Sequence, residues 1–279
     1  MLADEILDRL HEAGLSRIAD RLEDDLPTSV RLVAQRLSQT APIGATRFGG
    51  DPDLPPGFEW PMIGDRPLAF LAQICLDDVS KAADLELSGW LYLFYDCEKM
   101  PSGYDPADRD HWQVVHFRGE REMLQPRRHD DLPEQCRFPA CSVRFEIEHQ
   151  LPSAELLCDA FEIDLDADEE REYDRICEEV SRPGHRMFGL ADEIQGDMTL
   201  ECQLASNGLY VGDQTGYDDP RAAELEAGAG DWVLLLQLDS DDEAPGWMWG
   251  DCGRLYVWIR IQDLEEEQFD STWWILQCY

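Results

Sequence analysis

The chain has 279 residues with 60 acidic and 23 basic side chains, so its formal net charge is −37 at pH 7. That charge repels phosphate groups, so binding to nucleic acid or to an anionic membrane surface is not expected. A basic protein partner is compatible with it, because complementary fields speed encounter, although solubility alone also explains an acidic chain.

The N-terminus and the cysteines predict a cytoplasmic protein. The first fifteen residues, MLADEILDRLHEAGL, are charged and amphipathic and lack the apolar stretch of a signal peptide. No apolar run approaches the roughly 18 residues that a membrane span needs. The nine cysteines are an odd, scattered set, which we interpret as reduced thiols.

The N-terminal region predicts two helices. Apolar residues recur at helical spacing over residues 4–24, and Pro27 ends that pattern. Thr28 or Ser29 then caps a second predicted helix that reaches about Leu37, with Val30 facing inward. Together they give a predicted helical hairpin over residues 1–41.

The rest of the chain, residues 42–279, is predicted to be one α+β domain. Residues 42–61 are too rich in glycine and proline for regular structure, but their aromatic residues should pack down. Strands are predicted at 68–75, 90–95, 112–117, 142–149, 198–204, 232–238, 254–261 and 272–278. Helices are predicted at 166–181 and 262–269, the first within an acidic insert at 151–182 whose charged face is solvated.

Two segments of this domain have similar sequences, which indicates an internal repeat. FLAQICLDD at 70–78 is similar to LLLQLDSDD at 234–242, and a shift of 164 positions aligns Gln73 with Gln237. The same shift aligns six further identical pairs: Leu71 and Leu235, Asp77 and Asp241, Asp78 and Asp242, Gly89 and Gly253, Leu91 and Leu255, and Tyr92 and Tyr256. We therefore predict a mostly antiparallel β fold with two pseudo-repeated halves, at about 42–150 and 183–279.

Each repeat places a glutamine within an apolar strand. A glutamine has up to four hydrogen-bonding capacities, and leaving them unpaired inside the protein costs about 1–3 kcal/mol. Two interpretations stay open: each glutamine fixes a neighbouring loop, or the two hairpins flank a cleft in which the glutamines face a ligand.

Several uncommon sequence motifs occur in the order that is typical of one protein family. FGGDPDLPPGFEWP, PLAFLAQICL and GWLYLFYD are followed by HRMFGL, IQGDM, WVLLLQLDSDD, WMWGDCGRLYVWI and WWILQCY. In these motifs the chain resembles the YwqG-like family of bacterial proteins, from about Ile43 to the C-terminus. The resemblance implies a cytoplasmic, mixed α+β protein whose activity is not established, and it supplies no catalytic residues.

Residue patterns for catalysis or for cofactors do not stand out. His129, Cys136, Cys141 and His149 have spacings that match no standard zinc site, and the acidic turn after Leu238 lacks the glycine and distal glutamate of a calcium loop. A pair of Cys252 with His185 is conceivable, but a neighbouring aspartate would hinder thiolate formation. No catalytic residue, cofactor or metal is therefore predicted.

The stretch GWMWGDCGRLY at 246–256 offers the most interesting binding chemistry. Aromatic rings beside a carboxylate suit a sugar, a peptide or a cationic group, although core tryptophans in a packed turn explain them equally well. The candidate ligand-binding residues are Trp60, Gln73, Tyr92, His185, Gln195, Gln237, Trp249, Asp251 and Tyr256.

Three functional hypotheses follow. The first is an acidic module that binds a basic protein, for example an immunity-type neutraliser of a toxin. The second is a small-ligand or peptide-binding protein with a cleft between the two halves, and the third is a hydrolase with carboxylate chemistry.

Overall fold

The computed structural model describes residues 1–83 and 86–279. The helices within them are α1 (Ala3–Glu12), α2 (Ser16–Leu22), α3 (Leu76–Ala83), α4 (Ala154–Phe161), α5 (Ala167–Val180), α6 (Thr199–Ser206), α7 (Ala222–Leu225) and α8 (Ile261–Glu265). The strands are β1 (Thr28–Arg36), β2 (Arg47–Phe48), β3 (Asp53–Leu54), β4 (Met62–Ile63), β5 (Arg66–Pro67), β6 (Ala69–Cys75), β7 (Trp90–Tyr95), β8 (Trp112–Phe117), β9 (Gln125–Pro126), β10 (Cys141–His149), β11 (Arg186–Met187), β12 (Trp232–Asp239), β13 (Arg254–Arg260) and β14 (Trp273–Gln277). No helix among the described residues is long and apolar enough to cross a membrane.

Ten of the described strands form one antiparallel sheet, in the order β14-β13-β12-β11-β1-β10-β2-β6-β7-β8. The long pair β1–β10 lies at its centre, with nine residue pairs in register from Thr28↔His149 to Arg36↔Cys141. The sheet is nearly closed, because its two edge strands meet: the rings of Trp112 on β8 and Trp273 on β14 are 5.1 Å apart. The predicted mixed fold with a large antiparallel sheet is confirmed.

The strands bury both of their faces. On β7 the residues Leu91, Leu93 and Tyr95 belong to the main core, whereas the alternate residues Trp90 and Tyr92 pack in a second cluster on the other face. This alternation follows from the two-residue period of a strand. It explains why the sequence of β7, WLYLFY, is apolar throughout.

A helical unit packs beside the sheet. The apolar faces of α1, α2, α4 and α5 share a separate core that includes Ile6, Leu10, Leu157, Tyr173 and Ile176. The N-terminal helix pair and the acidic insert therefore form one cluster, although almost 130 residues separate them in the chain. Helix α5 begins at an Asp166 cap, whose carboxylate accepts hydrogen bonds from the backbone of residues 168 and 169.

Two predicted elements are wrong. Residues 28–36 form strand β1 rather than a second helix, so the helix pair consists of α1 and α2, which both lie within the first predicted helix. The helical break falls at Gly14, which adopts φ +81°. Pairing along the whole of β10 outweighs the helical spacing of the apolar residues in this segment.

The second wrong element is the strand predicted at 198–204, which is helix α6. Its residues include the good helix formers Leu, Glu, Gln and Ala, and Asp197 accepts hydrogen bonds from the backbone and hydroxyl of Thr199 at the start. Four consecutive residues of α6, Cys202 to Ala205, are buried, and the polar Gln203 is one of them, so the helix shows no clear apolar stripe in the sequence. The helix predicted at 262–269 is also shorter, and α8 ends at Glu265.

Candidate functional site

Gln73 lies at the centre of a buried hydrogen-bond set on β6. Its Oε1 accepts from the backbone N–H of Asp53 at 2.7 Å, and its Nε2 donates to the carbonyl of Ala45 at 2.9 Å and to the carboxylate of Asp53 at 3.2 Å. Arg47 pairs with the same carboxylate at 2.8 Å, and the hydroxyl of Tyr92 donates to the carbonyl of Asp53 at 2.7 Å. The set fixes residues 45–53 onto β6 and β7.

Gln237 makes a matching set on β12. Its Oε1 accepts from the backbone N–H of Asp192 at 2.8 Å, and its Nε2 donates to the carbonyl of Gly184 and to the carboxylate of Asp192, both at 2.7 Å. Arg186 pairs with Asp192 at 2.9 Å, and the hydroxyl of Tyr256 donates to the carbonyl of Asp192 at 2.6 Å.

The two sets correspond residue by residue. The loop residues of the second set follow those of the first by 139 positions, and the strand residues follow by 164 positions. Each central strand also carries a bulge at the equivalent place, between Phe70 and Ala72 on β6 and between Leu234 and Leu236 on β12. The arginine and aspartate of each set lie in stretches that the strand repeat does not reach, so sequence reasoning missed them.

The structure does not bring the two glutamines together. Four strands, β2, β10, β1 and β11, lie between β6 and β12, and each glutamine is fully buried within its own set. Burial raises the pKa of both Tyr92 and Tyr256, so their hydroxyls stay neutral donors. Both glutamines and both tyrosines therefore hold a neighbouring loop against the sheet, as the first interpretation expects.

His185 is another buried candidate. Its Nδ1 accepts from the backbone N–H of Asp239 at 3.0 Å, which leaves Nε2 as the donor to the carboxylate of Asp241 at 3.3 Å. This hydrogen bond is the main reason that the pKa of Asp241 is lowered. Cys252, the conceivable partner of His185, is exposed in a turn with φ +51°, whereas His185 is 5% exposed.

The tryptophans of the 246–256 stretch belong to the core. Trp247 lies 4.9 Å from the ring of Phe48, and Trp249 lies 5.9 Å from the ring of Tyr95. Both tryptophans are at most 1% exposed, whereas Asp251 is exposed. They close the interior of the sheet at the end where β12 stops, and they do not line an open cleft.

The two remaining candidates lie apart from these sets. Gln195 is exposed and donates to the carbonyl of Cys278 at 2.8 Å. Trp60 is half-buried and lines a small cavity of about 130 Å³ together with Arg128 and His129. The nine predicted site residues therefore do not form one site.

A larger cavity lies at the opposite end of the sheet from Trp247. Its volume is about 560 Å³, against 110–270 Å³ for three others. We call it the sheet-end cavity, and it is lined by Thr28, Ser29, Val30, Ala83, Glu86, Leu87, Phe188, Leu264, Glu265 and Glu267. These residues come from the start of β1, the end of α3, residues 86–87, the segment after β11, helix α8 and the turn that follows it.

The topology explains this position. All neighbouring strands of the sheet are antiparallel, so β1 begins at the end where β6, β10 and β13 finish. Helix α3 continues from β6 and helix α8 continues from β13, and both therefore flank the same opening. The cavity consequently lies at the end of the sheet where β1 begins and where the chain enters α3 and α8.

The cavity combines an apolar wall with an acidic rim. Val30, Leu87, Phe188 and Leu264 all pack against the main core. Glu86 and Glu265 are exposed, whereas Glu267 pairs with Arg118 and lies 3.7 Å from Nδ1 of His116. Burial lowers the pKa of His116, so that ring stays neutral near pH 7.

The described residues hold no group of three or more His, Cys, Asp or Glu side chains arranged for a metal ion. All nine cysteines are free thiols, six of them buried or half-buried in the sheet region: Cys75, Cys97, Cys136, Cys141, Cys202 and Cys278.

Comparison with known families identifies one family for most of the chain. A family model described as a domain of unknown function, DUF1963, matches residues 46–278. The chain belongs to the DUF1963 family. No curated protein is significantly similar to it.

The residues matched by the DUF1963 model include most, but not all, of the features described above. Both hydrogen-bond sets, apart from the carbonyl of Ala45, lie inside the matched region, as do helices α3 and α8 beside the sheet-end cavity. Helices α1 and α2 and strand β1 precede it. The resemblance to the YwqG-like family stays a prediction.

Proposed function

We propose that this DUF1963 protein is a binding module for basic protein segments, and that the sheet-end cavity receives an apolar side chain of the bound segment. The observation that carries the proposal is the cavity of about 560 Å³ with its apolar wall and acidic rim. A neutraliser of a basic toxin would be one protein of this kind.

The apolar wall supplies the affinity in this proposal. Full burial of a leucine or phenylalanine side chain contributes about 1.5–3 kcal/mol relative to leaving it in water. The carboxylates of Glu86 and Glu265 at the rim favour lysine or arginine on either side of that residue. A segment with one apolar residue between basic residues therefore fits both features.

The position of the acidic helical unit supports the same ligand. Strand β1 follows α2 and strand β10 leads into α4, and Thr28 pairs with His149 at the end where the cavity opens. The helical unit and the cavity thus share one end of the sheet. Its field attracts a basic segment toward that end and raises the association rate.

Short peptides test the proposal. The probe is Lys-Lys-Phe-Lys-Lys, and the matched peptides replace phenylalanine by serine or all lysines by glutamate. We expect the probe to bind at least tenfold more tightly than either matched peptide in isothermal titration at 50 mM NaCl, and to weaken as salt rises. Equal affinity of the phenylalanine and serine peptides would exclude a role for the apolar wall.

Two variants locate the interaction. Leu264→Trp fills the cavity and Glu265→Lys reverses a rim charge, and each should weaken binding of the probe by about tenfold or more. Glu243→Lys makes the same charge change in the exposed turn at the opposite end of the sheet and should change affinity less than threefold. If all three variants bind alike, the peptide binds elsewhere.

A hydrolase with carboxylate chemistry is the remaining alternative. Glu193 is an exposed residue outside the sheet-end cavity, and partial burial of its carboxyl group together with the nearby Asp197 raises its pKa to about 7. A protonated carboxylic acid near neutral pH can act as a general acid. Turnover of any substrate in a broad ester, glycoside and amide screen, lost in Glu193→Gln, would favour this alternative over binding alone.

We also propose that the chain contains two pseudo-repeated halves, at about 42–150 and 183–279. The matching hydrogen-bond sets and the matching bulges support this, because equivalent contacts recur at constant shifts in sequence. In this proposal helix α3, which follows β6, and the Trp247 turn, which follows β12, are equivalent connections that lie at opposite ends of the sheet.

A further inference from the structure

The Trp60 cavity lies on the outer face of the sheet, away from the sheet-end cavity. Its volume is about 130 Å³. It is lined by Gly50, Asp51, Trp60, Phe70, Arg128, His129, Leu132, Cys136, Arg137 and Phe138. The lining therefore joins an aromatic wall to two guanidinium groups, in a protein whose overall charge is strongly negative.

The walls are held in place by hydrogen bonds and ring contacts. The indole N–H of Trp60 donates to the carbonyl of Leu68 at 2.9 Å, and its ring lies 5.2 Å from the ring of Phe94. Arg137 donates to the carbonyls of His129 and Asp130 at 2.7 and 3.0 Å. These contacts hold the walls formed by Trp60 and Arg137 in place, so a ligand would not have to order them.

One polar atom of the lining has no partner. Nδ1 of His129 is buried and makes no hydrogen bond with any of the described residues. The ring of His129 lies 5.5 Å from that of Trp60. A buried polar atom without a partner costs about 1–3 kcal/mol, so this position is ready to receive a hydrogen-bonding group.

The charges decide which group fits. Two arginines outnumber the single aspartate of the lining, and burial raises the pKa of Cys136, so that thiol stays neutral. Asp96 and Glu98 also act on the Cys136 thiol, but both carboxylates pair with Arg66, and charges more than about 10 Å away are screened at physiological salt.

We propose that the Trp60 cavity binds a small carboxylate with an apolar body. The body packs against Trp60 and Phe70, and the carboxylate pairs with Arg128 and accepts a hydrogen bond from Nδ1 of His129. The cavity is too small for a peptide, so this ligand differs from the segment proposed for the sheet-end cavity.

Three probes separate the contributions of charge and body. Benzoate has both, phosphate has the charge alone, and benzamide has the body alone. We expect benzoate to raise the melting temperature at millimolar concentration and to bind at least tenfold more tightly than benzamide or phosphate. Equal binding of benzoate and phosphate, or no binding of benzoate, would overturn the proposal.

Paired variants locate the site and separate it from a general effect on folding. Arg128→Ala should weaken benzoate binding about tenfold, because it removes one charged hydrogen bond to the carboxylate. Arg127→Ala removes a neighbouring exposed arginine outside the lining and should have less than a twofold effect.

The histidine is tested in the same way. His129→Phe keeps a ring beside Trp60 without the nitrogen and should weaken binding about tenfold, whereas His129→Asn keeps a donor near the position of Nδ1 and should stay within threefold of the parent. Equal affinities of these two variants would refute the role of Nδ1. Binding of Lys-Lys-Phe-Lys-Lys should be the same in all four variants, so this proposal can fail independently of the first.

Discussion

The two glutamine sets show how a polar residue can be accommodated in an apolar strand. Gln73 and Gln237 are fully buried, yet each has its carbonyl and its amide group paired. Their partners are backbone groups of a loop that crosses the face of the sheet. The glutamine side chain supplies the hydrogen bonds that a neighbouring strand would otherwise give to these backbone groups. The cost of burying these loops is thereby offset at two equivalent places.

Equivalent substitutions of the two glutamines should have similar effects. Gln73→Leu and Gln237→Leu each leave a backbone N–H and a backbone carbonyl unpaired, so we expect each to lower the free energy of unfolding by about 3 kcal/mol. Urea denaturation measures this. Gln113→Leu, on the exposed side of β8, is the control and should change stability by less than about 0.5 kcal/mol. A large effect at only one glutamine would contradict the proposed equivalence of the two halves.

Asp96 should make stability depend on pH. Burial tends to raise its pKa, but hydrogen bonds from Arg66 and His111, both at 2.8 Å, outweigh burial and hold it below the ordinary value of 3.8. The carboxylate's contribution is therefore fully present above pH 3.8 and is lost as the pH falls through the lower folded value.

We expect Asp96→Asn to lower the free energy of unfolding by about 2 kcal/mol at pH 7 and by progressively less below pH 3.8. Urea denaturation between pH 3 and 7 measures the difference. Asp65→Asn, at an exposed neighbouring position, is the control. A difference that stays constant over this range would show that the charge of Asp96 does not matter.

The elements differ in how far the sequence predicts them. Strands β6, β7, β8, β10, β12, β13 and β14 were predicted within about one residue at most ends, because their apolar runs are short and bounded by turn residues. Strand β1 was missed because TSVRLVAQR also has apolar residues at helical spacing. Its strand state depends on β10, more than 100 residues away, and such a partner is invisible to local patterns.

The candidate site was harder to predict than the strands. The repeat pointed to Gln73, Tyr92, Gln237 and Tyr256, which the structure places in two hydrogen-bond sets rather than in one cleft. The sheet-end cavity combines β1, α3, the segment after β11 and α8, and no motif links these segments. A site that arises where distant elements end can be found only after the topology is known.

The meeting of the two sheet edges depends on Gly103. The indole N–H of Trp273 on β14 donates to the carbonyl of Gly103 at 2.8 Å, and the backbone N–H of Leu276 donates to the carbonyl of Ser102 at 3.0 Å. Gly103 has φ +80°, and a Cβ there would lie 1.8 Å from the carbonyl oxygen of Trp274. A side chain at this position would force the edges apart.

Gly103→Ala should therefore lower the free energy of unfolding by more than about 2 kcal/mol, because alanine would have to adopt a positive φ and would also clash with the backbone of β14. Gly64→Ala is the matched control, because Gly64 has φ +62° and nothing within 4 Å of the added carbon. It should cost about 1 kcal/mol. Thermal or urea unfolding compares the two, and equal losses would show that the approach of β14 does not limit stability.

At the scale of the whole molecule, charge and cavity are organised around one end of the sheet. The helical unit, residues 1–26 and 151–182, carries 20 acidic and 6 basic side chains of the chain's 60 and 23. It therefore holds a third of the acidic residues in about a fifth of the length. The Trp247 turn closes the other end of the interior, so the opening and the acidic helical unit lie on the same side.

Methyl NMR during titration with Lys-Lys-Phe-Lys-Lys tests binding at the sheet-end cavity most directly. The methyl groups of Val30, Leu87 and Leu264 line or border the cavity, whereas Leu132 borders the Trp60 cavity. We predict saturable shifts of the first three with one dissociation constant, and no shift of Leu132. Saturable binding that leaves Val30, Leu87 and Leu264 unshifted would contradict the assignment of the cavity as the binding site.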